Sequence, residues 1–211
     1  MAVTNMNLPI LYSFRRCPYA MRARIGFALA GVDYIVREVD LKNKPKELYA
    51  ASSKATVPVL VAYDLVVDES LDILYWLRSK ECFGLNSDLA DFVEDFRGSF
   101  ITVLNHFKYP DRYSDVVSKQ RCQEILLVKL RDLDSRLKLM NAEVVYEDEI
   151  IIFPFVRQLR LADADWFSSL GLGSLYSWVG KWEEVLLKYD VMVKHEVWQR
   201  DSADVIIKHS L

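Results

Sequence analysis

Apolar residues follow two rhythms along this chain, and the change from one to the other divides it. Up to about residue 80, short apolar runs alternate with stretches of helical spacing. Leu8 to Phe14 has the length and flanks of a central strand, and Met21, Ile25, Ala28, Leu29 and Val32 follow it at helical spacing. Tyr34 to Val39 reads as a second strand, Val57 to Tyr63 as a third and Leu65 to Val67 as a fourth, with a helix over Leu71 to Leu77. The stretch between the second and third strands reads as a loop.

This is a strand-helix-strand unit followed by a hairpin and a helix, a thioredoxin-like α/β order with a mixed sheet. From about Asn86 the period becomes purely helical. Leu89, Phe92, Val93, Phe96, Phe100, Val103, Leu104 and Phe107 share one helix face. Leu126, Leu130, Leu133, Leu137 and Met140 form a second such face, and Leu175, Trp178, Val179, Trp182 and Leu186 a third. The fold class is therefore an α/β N-terminal domain plus an all-α C-terminal domain. Glu81 to Asp88, with Gly84 and a candidate N-cap at Ser87, supplies the break. The expected domains are 1–81 and 82–211. Ile150 to Val156 is apolar on nearly every side and predicts a buried helix kinked at Pro154, with a strand as the alternative.

Composition narrows the function classes. With 211 residues, 52% of them hydrophobic, the chain can bury a sizeable core. A net charge of −3 provides no concentrated basic face, which argues against general nucleic-acid binding. No run approaches the ~18 apolar residues of a membrane span. The first residues lack the basic and apolar regions of a signal peptide, so no membrane partner and a cytoplasmic location are expected. Three widely spaced cysteines make no disulfide framework. His106, His195 and His209 lie far apart, so no metal site and no covalently bound cofactor are expected.

Cys17 is the candidate nucleophile. Pro18 suits a first helical position, which puts Cys17 at the N-cap, where unpaired N–H groups and the helix dipole favour a thiolate. Arg15, Arg16 and Arg22 add positive charge. Cysteines in such surroundings have pKa values of roughly 3.5 to 7.5. A thiol at random is more often a small buried hydrophobe. Strand, Cys-Pro and basic flanks together reverse that preference. Cys82 and Cys122, on or near helices, read as packing residues.

Four motifs in order, Cys17-Pro-Tyr-Ala20, Leu41-Lys-Asn-Lys-Pro45, Val57-Pro-Val-Leu60 and Asp68-Glu-Ser70, closely resemble the N-terminal domain of cytosolic glutathione S-transferases, especially the cysteine-bearing omega-like and bacterial groups. Phe107-Lys-Tyr-Pro-Asp-Arg112 and Phe153-Pro-Phe-Val-Arg-Gln158 extend the likeness into the second half. The resemblance implies a glutathione-binding site. Val57 would precede a cis proline, Pro58, and offer its main chain to the cysteinyl part of glutathione. Ser70, doubling as a helix cap, would take the γ-glutamyl carboxylate, and Glu69 the ammonium. Lys44 matches a lysine for the glycyl carboxylate, with Lys42 the alternative in a shifted loop.

With cysteine in place of tyrosine or serine, the implied chemistry is thiol transfer through a mixed disulfide of Cys17 and glutathione. Glutathione is then a co-substrate. Its counterpart is a small electrophile, a disulfide or a glutathionyl conjugate. Ala20 stands where a second redox cysteine would be, so free glutathione resolves the adduct. A homodimer is also implied. The competing reading is a non-catalytic interaction module on the same fold; a membrane-inserting, channel-like reading conflicts with Arg15, Arg16, Arg22 and Arg24. The family often caps its buried helix with serine and places aspartate three residues on. Tyr146 and Glu149 stand there, so only half of a capping box is expected.

Overall fold

The computed structural model describes residues 8–79, 90–115, 117–140 and 144–209. By internal contact the chain forms two compact units, Met1–Phe83 with Leu186–Leu211, and Gly84–Val185. The tail that the sequence reading gave to the second domain is thus counted with the first. The expected break at Glu81 to Asp88, and Cys82, lie outside the described residues.

In the first unit, β1 (Ile10–Ser13) pairs in parallel with β2 (Tyr34–Glu38) and antiparallel with β3 (Val59–Ala62). β4 (Leu65–Val67) continues from β3 as a hairpin. The mixed sheet then gains a strand the sequence did not announce. β5 (Val205–Ile207) pairs antiparallel with β2, giving the order β4-β3-β1-β2-β5. A short helix, α2 (Lys46–Ala51), occupies part of the expected loop.

Side chains alternate across β1, and both faces are covered. Leu11 packs with Phe27, Tyr34, Leu60, Ile73 and Leu77 beneath α1 (Pro18–Leu29) and α3 (Ser70–Arg78). Tyr12 faces the other way, onto Val39, Leu48, Val59 and Trp198. Gly26 lets the two helices meet. A Cβ there would lie 2.6 Å from Leu74 Cδ2 and 2.9 Å from Leu77 Cδ1, closer than side chains pack.

The tail is held by polar contacts as well as by β5. Trp198 N–H donates to Glu38 O at 2.8 Å, and Arg200 Nε to Glu47 Oε1 at 2.8 Å. His209 N–H donates to Asp33 Oδ1 at 2.7 Å.

Every described element named in the second unit is helical. α4 (Ala90–Asp95) passes through a π turn at Phe96–Phe100 into α5 (Ile101–Lys108), and Phe96 stacks on Phe100 at 4.2 Å. α6 (Lys119–Leu137), capped by Ser118, buries Cys122, Leu126, Leu130 and Leu133. α7 (Glu147–Ala162) is the expected buried helix, with Pro154 inside it, followed by α8 (Ala164–Ser169) and α9 (Gly173–Lys188). Tyr146 gives no side-chain cap, but its N–H donates to Glu149 Oε2 at 3.0 Å, so the acidic half of the capping box is made.

Three carboxylates crowd that first turn. Burial, then the charges of Glu147 and Glu149, push the Asp148 pKa from 3.8 up to about 6. The folded value lies above the unfolded one, so the ionised form destabilises. This part of the stability is least above about pH 6 and grows as pH falls toward the unfolded value. Asp148→Asn is expected to stabilise the protein near neutral pH by roughly 1–3 kcal/mol. Thermal unfolding across a pH series should show that gain vanish below the ordinary carboxylate pKa; a gain independent of pH would overturn it.

Candidate functional site

The turn from β1 into α1 fixes the first side chain of the site. Cys17 takes extended angles (φ −78°, ψ 124°) at the N-cap of α1, with Pro18 as the first helical residue. Its N–H donates to Phe14 O and its carbonyl accepts from Met21 N–H, each at 2.9 Å. Cys17 is half-buried. Its Sγ lies 3.7 Å from the carbonyl oxygen of Val57. The Val57–Pro58 bond is cis and leads straight into β3.

A cavity of ≈ 500 Å³ opens here, walled by Cys17, Tyr19, Leu41, Lys44, Thr56, Val57, Pro58, Asp68, Glu69 and Ser70. All six residues picked out from the sequence, Cys17, Lys44, Val57, Pro58, Glu69 and Ser70, therefore meet in one wall. Lys42 is exposed, with its main-chain N–H on Asp40 Oδ1 at 2.9 Å.

One detail differs from the sequence expectation. Ser70 does not cap α3. Glu69 occupies the N-cap position, without a side-chain cap bond, and Ser70 is the first helical residue. Its Oγ instead accepts from Arg22 Nη1 at 2.9 Å, and both side chains are buried. Arg22, expected only as diffuse charge near Cys17, thus has a specific partner in Ser70.

Lys54 was not picked out at all. Its Nζ lies 2.7 Å from Glu69 Oε1 and 3.2 Å from Asp68 Oδ1, while Ser52 Oγ donates to Asp68 Oδ2 at 2.6 Å. The hydrogen bond from Ser52, aided by Lys54, holds the Asp68 carboxyl below its usual range. Hydrogen bonds to Glu69 and then Asp68 raise the Lys54 ammonium. These partners come from the loop between α2 and β3, and only the fold brings that loop to the start of α3. A lysine three residues before Val57 carries no local signal of it.

The remaining candidates separate from the site. Cys122 is fully buried, and burial pushes its thiol pKa up, away from nucleophilic use. His106 stacks on Tyr113 at 3.7 Å and bonds Thr102 O through Nδ1. Among the described residues no three His, Cys, Asp or Glu side chains group as a metal site, and no helix is long and apolar enough to cross a membrane. The site's own groups are a sulfur at a helix start, a main-chain edge beside a cis proline, and a charged rim around a helix N-terminus. Together they suit a small peptide-like ligand with a thiol or disulfide and charged ends.

Comparison with known proteins bears on the fold. Residues 11–81 match the family model of the glutathione S-transferase N-terminal domain. Over 75 residues the chain is 42% identical to a probable maleylacetoacetate isomerase of Caenorhabditis elegans, covering 33% of this chain and 34% of that one. The match spans about a third of the length of the curated relatives. Among solved structures, a glutathione transferase from Pseudomonas putida with one glutathione disulfide bound per subunit superposes with a TM-score of 0.69. It is 21% identical, over 87% of this chain and 90% of that one. Glutathione transferase Omega 3C from Trametes versicolor gives 0.68 at 16% identity, over 87% and 82%. Likeness at such identities is one of fold: a thioredoxin-like N-terminal domain followed by a helical one, as in glutathione transferases.

Proposed function

From the match of residues 11–81 to the glutathione S-transferase N-terminal domain, we propose that the protein is a member of that family and a glutathione-dependent thiol transferase of the cysteine type. The observation that carries this reading is the shared wall of Cys17, the Val57 main chain, Glu69 and Ser70 around one cavity. A glutathione thiol laid along Val57 sits beside the Cys17 sulfur. The γ-glutamyl carboxylate meets Ser70 and the N-terminus of α3. The ammonium meets Glu69, whose Oε1 is already on Lys54. Lys44 pairs with the glycyl carboxylate.

In the reaction the Cys17 thiolate attacks the glutathionyl sulfur of a mixed disulfide. The Cys17–glutathione disulfide forms and the other thiolate leaves. With a glutathionyl thioether the leaving carbon takes a proton instead. A second glutathione thiolate then attacks the adduct, releasing glutathione disulfide and regenerating Cys17. No partner cysteine is needed, because Ala20 stands where a resolving thiol would.

Immobilised glutathione tests the site. The protein should be retained and eluted by free glutathione, and Glu69→Ala should bind roughly 10-fold more weakly, the scale of one charged hydrogen bond. A wild-type protein that passes through unretained would favour a fold used only as an interaction module.

A further inference from the structure

We infer that Arg22 is a positioning residue for the carboxylate end of the ligand, acting through Ser70. This rests on the glutathione reading and adds a residue to it. Arg22 is 2% exposed, and a guanidinium does not shed its charge when buried. It lies on α1, five residues after Cys17, and reaches across to α3, where its Nη1 donates to Ser70 Oγ.

That bond decides what Ser70 can do. The hydroxyl has one hydrogen to give, and its oxygen already accepts from Arg22. Ser70 lines the cavity, so its O–H is left to donate toward an acceptor there. The fixed positive charge behind the hydroxyl and the N-terminus of α3 both favour an anion at that spot. A neutral or cationic group would gain nothing from either. The chemistry selected is a carboxylate, held by a hydroxyl whose direction Arg22 sets. The Tyr19 ring, 5.6 Å from the Arg22 guanidinium carbon, covers the same side chain from the cavity wall.

The test compares glutathione with γ-aminobutyryl-cysteinyl-glycine, the same peptide without the α-carboxylate, by calorimetry. Wild type should prefer glutathione. Arg22→Met should weaken glutathione binding about 10-fold, the scale of one charged hydrogen bond, while leaving the decarboxylated peptide within about twofold. Arg22→Lys keeps the charge with a poorer donor geometry and should recover part of the preference, with KM for glutathione raised and kcat little changed. Ser70→Ala should remove the preference with Arg22 in place, and in that background Arg22→Lys should have no further effect on it. Those two variants decide the matter where Arg22→Met does not fold. Equal weakening of both peptides by the Arg22 variants would make Arg22 a packing residue only and overturn the inference. A wild type indifferent to the carboxylate, or binding neither peptide, would overturn the glutathione reading itself and the inference with it.

Discussion

Cys17→Ala is expected to abolish the covalent adduct that the reduced protein forms with glutathione disulfide, an adduct intact mass measurement should show as a single added glutathionyl group. Turnover of a small disulfide or of dehydroascorbate should fall by roughly 10³-fold or more, the scale of deleting a nucleophile. Half-buried Cys17 has access to a ligand, whereas Cys122 is sealed in the α6 core with its pKa raised by burial, so no described thiol can stand in. Cys17→Ser separates two chemistries. A serine hydroxyl cannot form the mixed disulfide, but it can hydrogen-bond a glutathione thiolate. Reduction should therefore disappear while conjugation to an aryl halide persists or rises. An adduct that survives in Cys17→Ala, or equal loss of both activities in Cys17→Ser, would refute the role given to Cys17.

Glu149→Ala should cause the largest loss of stability among single substitutions of polar residues in the second unit. The Glu149 carboxylate, 3% exposed, accepts from Tyr146 N–H at 3.0 Å, from Trp178 Nε1 at 2.7 Å and from Trp182 Nε1 at 3.3 Å. Both tryptophans pack on Phe153, Trp182 stacked at 5.4 Å and Trp178 edge-on at 5.8 Å. The acid therefore joins the start of α7 to the buried face of α9. Alanine leaves three donors without their acceptor and a hole between aromatic rings, a loss of roughly 3–5 kcal/mol. Urea unfolding followed by tryptophan fluorescence measures it. Glu149→Gln, which keeps one carbonyl oxygen, should lose about half as much. A Glu149→Ala protein as stable as the wild type would show that the indoles do not depend on this carboxylate.

What could be read in the sequence was local in nature. Cys17 before Pro18 signals a helix start by itself, and the structure has it there. Pro154 in an apolar run marks a buried helix, and α7 is one. The cis bond at Val57–Pro58 was expected from the family resemblance alone, since nothing in a Val-Pro pair specifies it. Contacts between distant segments were out of reach. Arg22 looked like one of several surface cations, because its burial against Ser70 depends on how α1 and α3 pack at Gly26. Lys54 looked like an ordinary loop lysine. Capping of α3 differs from the expectation because the backbone is still extended at Glu69 and turns helical at Ser70, whose oxygen accepts from Arg22. Three-residue β5 is too short to show a period of two, and its partner β2 lies at the far end of the sequence.

That last pairing sets an order of assembly during synthesis. The residues of β1, β2 and β3 leave the ribosome well before those of β5, so β2 keeps one row of main-chain donors and acceptors uncovered until Val205–Ile207 has been made. At usual elongation rates the wait is on the order of ten seconds or more. For that interval the nascent chain carries an open strand edge able to pair with another copy. Closing the sheet thus comes long after the segment that carries Cys17 has emerged.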